Sequence, residues 1–175
     1  MKLSVVISSR NPDPLLFRKC LMSLEKQSNQ NFELLVIDDG SSMPIQEVFS
    51  YDLEKLDYRV IRIAQSLGQG KALNLGIKQL KTDLIIRLDD DDNLSSGAVE
   101  AYRRMHQKGF NLICLTVRLF YGDKYLSRTP LHKDNSSVLH DLCKLRFPIA
   151  HSGIAFTPEL FQKIDGYNVD TVGQD

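Results

Sequence analysis

The segment Arg87-Leu88-Asp89-Asp90-Asp91-Asp92-Asn93 sets four carboxylates in a row directly after the apolar run Leu84-Ile85-Ile86. Carboxylates this close repel one another unless a cation or a proton offsets them. A hard divalent cation is the natural counter-ion, because Mg2+ is held by one or two carboxylates together with substrate phosphates. A second acidic pair, Asp38-Asp39, follows the apolar stretch 32–37, and the polar cluster Ser8-Ser9-Arg10-Asn11 follows Val5-Val6-Ile7. Together these groups suit a metal that bridges to a diphosphate. Plainer readings stand beside that one. Asp38-Asp39-Gly40-Ser41 is a good turn sequence in its own right, and residues 89–92 could form a solvated loop that caps the next helix.

The elements that must position these groups follow from periodicity. Residues 3–8 read as a strand entering a loop at Ser8-Ser9-Arg10-Asn11-Pro12. Leu16, Cys20, Leu21 and Leu24 have helical spacing within 15–27, with Pro14 near the first turn. Strands are expected at 32–37, 58–63, 84–88 and 111–120. Helices are expected at 44–51 (short), at 69–80, and from a Ser95 or Ser96 cap through His106. Residues 122–137 read as a loop, 138–145 as a short helix and 149–157 as a strand, with a further helix from about Pro158. Alternating strand and helix over the first 120 residues implies a mostly parallel sheet with helices on both faces. In such sheets ligands bind beyond the carboxyl ends of the strands, and all three polar clusters lie at strand ends.

Composition narrows the class. The chain has 175 residues, 42% hydrophobic and 25% charged, which is ordinary for a globular domain with a real core. Lys plus Arg is 22 and Asp plus Glu is 22, so no overall basic field draws nucleic acid or anionic lipid. Apolar runs such as Val5-Val6-Ile7 are far too short to span a bilayer. Cys20, Cys114 and Cys143 are scattered without a CxxC pair and read as buried thiols in a reducing compartment. Gly68-Gln69-Gly70-Lys71 lacks the GxxxxGK[ST] pattern, since Ala72 follows the lysine, which excludes a Walker loop. Lys71 can still meet a phosphate, or it is a solvent-facing helix lysine. The four histidines show no metal-ligand spacing, and His151 reads as a core or loop residue rather than a catalyst. No GxSxG elbow and no credible cysteine nucleophile occur.

In order, LSVVISSRN, FELLVIDDGSS, SLGQGKALNLGI, DLIIRLDDDDN, HSGIAFTPELFQKIDGYN and the final GQD resemble family 2 glycosyltransferases of the GT-A fold. The likeness is greatest to bacterial enzymes of surface-polysaccharide synthesis, and it runs from Leu3 to Asp175. It implies an α/β GT-A fold, Rossmann-like, forming a single domain over 1–175. It implies that Asp39 hydrogen-bonds a nucleotide base and that Ser8, Arg10 and Asn11 line the nucleotide pocket. Asp89-Asp90-Asp91 takes the place of the DXD motif. Asp91 is the first choice as metal ligand, with Asp89 near ribose or metal and Asp92 a second candidate ligand. Asp175 stands where the family places its general base.

The reaction so implied is transfer of a hexosyl group from a nucleotide diphosphate sugar, a UDP-sugar, to an acceptor hydroxyl. Mn2+ or Mg2+ would neutralise the leaving diphosphate. One base and no enzyme nucleophile imply a single inverting displacement. The implied partners are the nucleotide-sugar donor and a saccharide or lipid-linked saccharide acceptor, with no nucleic acid. The implied location is the cytoplasm, peripheral at the inner face of the membrane. Three departures stand out. The family's tyrosine after the first strand is Arg10 here, which can also stack on a planar ring. Leu73 replaces an arginine before Asn74. The helix that follows the base is missing, so the chain is expected to be a fragment lacking its C-terminal part, inactive by itself. Two alternatives remain: a sugar-phosphate nucleotidyltransferase, disfavoured because residues 8–12 lack glycine, and a non-catalytic nucleotide-binding module.

Overall fold

All seven residues of β1 (Leu3–Ser9) are buried. So are all four of β4 (Leu84–Arg87) and all but the first of β2 (Glu33–Asp39). Strands covered on both faces read as unbroken apolar runs, and this burial is what a parallel sheet between two helical layers requires. The computed structural model describes residues 1–121, 124–128, 136 and 150–169. Its central sheet has six strands in the order β3-β2-β1-β4-β8-β5, where β3 is Tyr58–Ile63, β5 is Leu112–Cys114 and β8 is Ile154–Phe156. The first four run parallel, and β8 lies antiparallel between β4 and β5.

The period-2 alternation of β1 and β2 divides the core. Leu3, Val5, Ile7, Leu34 and Val36 pack with α1 (Pro14–Glu25), the short helices α2 (Ile45–Val48) and α3 (Ser50–Leu53), and α5 (Ala98–Gln107). Val6, Leu35 and Ile37 pack on the other face with α4 (Gln69–Ile77) and α6 (Pro158–Lys163). The start of α1 is fixed by Asp13, whose carboxylate accepts from the Leu15 and Leu16 amides at 2.9 Å, with Pro14 supplying a preset first turn. Its Phe17 ring meets Phe49 edge-on at 4.6 Å; truncating such a fully buried aromatic typically costs ~3–5 kcal/mol. On the other face, a Cβ added to Gly76 would lie 2.3 Å from Ile37 Cδ1, so glycine lets α4 settle directly onto β2. No helix among the described residues is long and apolar enough to cross a membrane.

Several expected elements differ. The single strand expected over 111–120 is two: β5 stops at Cys114, and β6 (Arg118–Tyr121) pairs instead with β7 (Lys124–Arg128) in a separate hairpin. A continuous apolar, β-branched stretch does not reveal where a chain leaves its sheet, because each half satisfies strand propensity alone. β7 also replaces part of the loop expected at 122–137. The strand expected over 149–157 shrinks to Ile154–Phe156, since Gly153 turns the chain at φ 75° just before it. The region 44–51 holds two short helices rather than one. Neither Ser95 nor Ser96 caps α5 with its side chain: the cap position is Gly97, and the two serine carbonyls accept from Ala98 and Ser28. Cys20 is buried as expected, whereas Cys114 is exposed because β5 is an edge strand. The helix expected at 138–145 and Cys143 lie outside the described residues.

Candidate functional site

The sheet register brings the three polar strand ends to one edge. Ser9 pairs with Asp38, Val6 pairs with Arg87, and the Leu88 amide donates to the Val6 carbonyl at 3.0 Å. Past that point the chain enters the acidic run. The Ser9 hydroxyl donates to the Asp90 carboxylate, tying the end of β1 to the run that follows β4.

The β2 turn is closed by its own protein donors. Asp38 is fully buried and accepts from the Ser41 amide (2.9 Å), the Ile45 amide (3.1 Å) and the Arg62 guanidinium (2.8 Å). Burial alone would raise its pKa, but these donors prevail and hold it below the usual carboxylate value. Asp39, also buried, accepts from the Leu67 amide (2.8 Å), the Gly68 amide (3.0 Å) and the Ser66 hydroxyl (2.8 Å). Gly40 between β2 and this loop has φ 76°, and a Cβ there would sit 2.7 Å from the Ser66 amide nitrogen. Asn11, at φ 50°, accepts from the Ser42 amide (2.8 Å) and hydroxyl (3.0 Å), while its own amide donates to Ser41 Oγ (2.9 Å). Asn11 therefore joins the β1 and β2 loops. Ser8 is buried at the end of β1, and Arg10 is exposed without a hydrogen bond or ion pair to another described residue.

The acidic run is arranged differently. Asp89, Asp91 and Asp92 each offer a carboxylate oxygen within 4.8 Å of the other two. Ligand oxygens on an octahedral Mg2+ lie ~3.0 Å apart when adjacent and ~4.2 Å when opposite, so the three would have to draw together to share one ion. A donor set made only of carboxylates suits a hard cation. Both oxygens of Asp89 already accept from Arg87, whose side chain is 2% exposed, and Gln69 Nε2 reaches the same carboxylate at 3.4 Å. That leaves Asp91 and Asp92 with the least committed oxygens. The Asp92 carboxyl is pushed up by burial and by the charges of Asp89 and Asp91, against a lowering hydrogen bond from Ser152. Asp90 is likewise raised by burial first, against the Ser9 hydrogen bond, with Asp91 and Asp89 adding to the rise. Arg87 also lowers Asp92 slightly, but for both carboxyls burial and the neighbouring acids prevail, the reverse of Asp38.

Further residues frame the cluster. Ser152 Oγ accepts from the Asp89 amide at 3.0 Å, and the Cys20 thiol lies 3.5 Å from the Asp89 carbonyl. Asn74 on α4 holds the backbone of Tyr167 in both directions, at 2.8 and 2.9 Å. The Tyr167 ring stands edge-on to His151 at 5.3 Å. Its hydroxyl is buried without a hydrogen-bond partner among the described residues, and burial pushes its pKa up to about 12. Lys71 is exposed in the first turn of α4. Asp175 lies outside the described residues. Sequence reasoning passed over Arg87, Ser9, Ser152 and Tyr167. Arg87 had a signal, a charge closing an apolar strand. Ser152 and Tyr167 fall in the stretch HSGIAFTPELFQKIDGYN, but nothing local gives either a role: the antiparallel return of β8 brings Ser152 to the end of β4, and Asn74 on α4 holds Tyr167.

Comparison with known proteins gives a consistent picture. The family model described as "Glycosyl transferase family 2" matches residues 4–164. The GalNAc(5)-diNAcBac-PP-undecaprenol beta-1,3-glucosyltransferase of Campylobacter jejuni is 30% identical over 152 residues, 83% of this chain and 48% of its own length. Crystal structures of S. aureus TarS 1-349 superpose with TM-score 0.77 at 19% identity, covering 99% of this chain and 52% of theirs; the complex with UDP-GlcNAc superposes at 0.73. The mannosyltransferase PcManGT of Pyrobaculum calidifontis, in complex with GDP-Man and Mn2+, superposes at 0.70 with 16% identity, covering 99% of this chain and 49% of that one. At these identities the structural likeness shows the fold, that of GT-A glycosyltransferases. The chain spans about half the length of these proteins.

Proposed function

Since the chain belongs to glycosyl transferase family 2, we propose that it forms the donor-binding GT-A domain of a glycosyltransferase. The enzyme would move a sugar from a UDP-sugar to an acceptor hydroxyl in bacterial surface-polysaccharide synthesis. The observation that carries this reading is the cluster of Asp89, Asp91 and Asp92 at the strand edge, beside the Asp39 turn. The UDP-GlcNAc complex of TarS supports the donor, the Mn2+ in PcManGT supports the metal, and the lipid-linked substrate in the name of the Campylobacter enzyme supports the acceptor class.

The residues divide the work as follows. Asp39 takes the base: an ionised carboxylate has about four acceptor positions, and the loop 66–68 fills three of them. A base N–H can therefore add without displacing the loop. Arg10, exposed at the end of β1, is free to stack on the base, with Ser8 and Asn11 shaping the pocket floor and Lys71 near the phosphates. Asp91 and Asp92 would hold a divalent cation, Mn2+ or Mg2+, while Arg87 fixes Asp89 for ribose or metal. When bound, such an ion offsets the charge that builds on a departing diphosphate. Asp175 removes the acceptor's proton. A single base gives one inverting displacement, and loss of a base of this type slows turnover by ~10²–10⁴-fold. An acceptor anchored in lipid places the domain at the inner face of the membrane.

Calorimetry tests the site directly. UDP should bind in the presence of MnCl2 and weakly or not at all in EDTA. Metal-independent binding of equal strength would remove the carboxylate cluster from the reading. In the full-length protein, release of nucleoside diphosphate supports transfer of a sugar, and release of pyrophosphate would instead mark a nucleotidyltransferase.

A further inference from the structure

The β6–β7 hairpin stands outside the central sheet, and among the described residues its two strands pair only with each other. A two-stranded hairpin is marginally stable in water unless something covers a face. Arg118 faces Arg128, and Phe120 faces Tyr125 with their rings 5.8 Å apart. These four residues share one side of the ribbon, while a bulge between Leu119 and Phe120 leaves Leu126 as the extra residue of β7. Leu119, Phe120, Tyr125 and Leu126 are 49–57% exposed. Arg118, Lys124 and Arg128 are exposed as well, and none forms an ion pair with a described residue. The stretch 118–128 carries three cations against one carboxylate, Asp123, which lies outside the described residues. In a chain with zero net charge, this is a local excess of cations beside a pair of exposed rings.

We propose that this hairpin docks the protein on an anionic lipid surface. Aromatic rings and aliphatic side chains settle at the boundary between headgroups and acyl chains, and flanking Lys and Arg engage anionic headgroups. Placement supports this occupant. The chain leaves the central sheet at Cys114, which shares its β8 partner Ile154 with Arg87. The hairpin therefore springs from the level of the sheet that leads into the acidic run. A membrane touching it would lie beside the site, where a lipid-anchored acceptor could reach the donor. The inference rests on the membrane-anchored acceptor described above and names the surface that meets the lipid.

The test is co-sedimentation of the chain with vesicles of phosphatidylcholine alone or mixed with phosphatidylglycerol, across a salt series, with UDP–Mn2+ calorimetry alongside. Binding is expected only to the mixed vesicles and should weaken with salt. Each cation near an anionic leaflet is worth about fivefold in partitioning. The triple variant Arg118→Gln, Lys124→Gln, Arg128→Gln should therefore lose on the order of 100-fold. Phe120→Ser with Tyr125→Ser should lose the binding that survives salt. Both variants should keep the wild-type melting temperature and UDP affinity, because every altered side chain is exposed. Wild-type-like binding by the triple variant would overturn the hairpin assignment and leave membrane association standing. No binding by the wild type would overturn both, without touching the donor reading that calorimetry reports. A dimer in light scattering that the Phe120→Ser, Tyr125→Ser variant dissolves would replace lipid with a second copy of this chain.

Discussion

The turn after β2 and the run after β4 both present consecutive aspartates at the same sheet edge, yet their environments are opposite. Asp38 and Asp39 each receive three hydrogen bonds from the protein, and Asp38 is held acidic. Asp90 and Asp92 are shifted the other way, by burial and by one another's neighbours, and Asp91 is exposed. Of the four, Asp89 alone forms an ion pair among the described residues, with Arg87. The contrast shows that a count of carboxylates does not separate a structural turn from a candidate ion site. What separates them is the supply of donors. The β2 turn is held by three donors to each aspartate, whereas among the described residues Asp90 and Asp92 each accept one serine hydrogen bond and Asp91 is exposed.

The strongest test of that contrast is Asp91→Asn. Metal-dependent UDP affinity should fall by at least ~100-fold, since an ion at a diphosphate contributes several kcal/mol and 1.36 kcal/mol is tenfold. The melting temperature should hold or rise as like charges are relieved; a clear drop would make the second cluster structural too. Asp38→Ala should do the reverse. Removing a buried acceptor of three bonds, one from the half-solvated Arg62, should cost about 2–3 kcal/mol in urea denaturation, and UDP affinity of the folded protein should barely change. The two turns would no longer be distinguishable if stability were unaltered.

Acid titration sharpens the same point. Because the folded pKa of Asp38 lies below its unfolded value, its contribution is present in full above the ordinary carboxylate range, ~4. That contribution is lost as the pH falls through the lowered folded value. Urea midpoints measured toward low pH should show a shallower acid decline in Asp38→Asn than in the wild type. An identical decline would mean that Asp38 is not held acidic by its donors. The smallest effect is expected from Lys71→Ala. Stability should stay within ±0.5 kcal/mol, and UDP affinity should change less than about fivefold, the worth of an exposed charge contact. A larger fall would extend the ion-poor site onto the first turn of α4.

Much of this was legible beforehand. The runs at 3–8, 32–37, 58–63 and 84–88 fell on β1 to β4, and the Asp91, Asp89 and Asp92 set coincides with the carboxylates that cluster in space. Those features are local: a doubly covered strand must be apolar throughout, and consecutive acids at its end stay together whatever follows. The break after Cys114 was not legible, because residues on both sides favour strand equally. The serine caps proposed for α5 failed because their carbonyls and not their hydroxyls were recruited. Asn11 illustrates a different limit. Its residue type announced a polar loop, but its role as a clasp on Ser41 and Ser42 depends on a turn thirty positions away.

The sequence by itself determined the alternation of buried strands and helices, and hence a parallel sheet with acids at its carboxyl edge, because burial on two faces and charge repulsion are written in residue type. Only the tertiary structure decided which acids are satisfied. Arg62 meets Asp38 across adjacent strands, the loop 66–68 folds over Asp39, Arg87 occupies Asp89, and β8 delivers Ser152 to the same place. Hydrogen bonds and ion pairs act over about 3 Å, and which groups come that close is set by the packing of distant segments, not by their order along the chain.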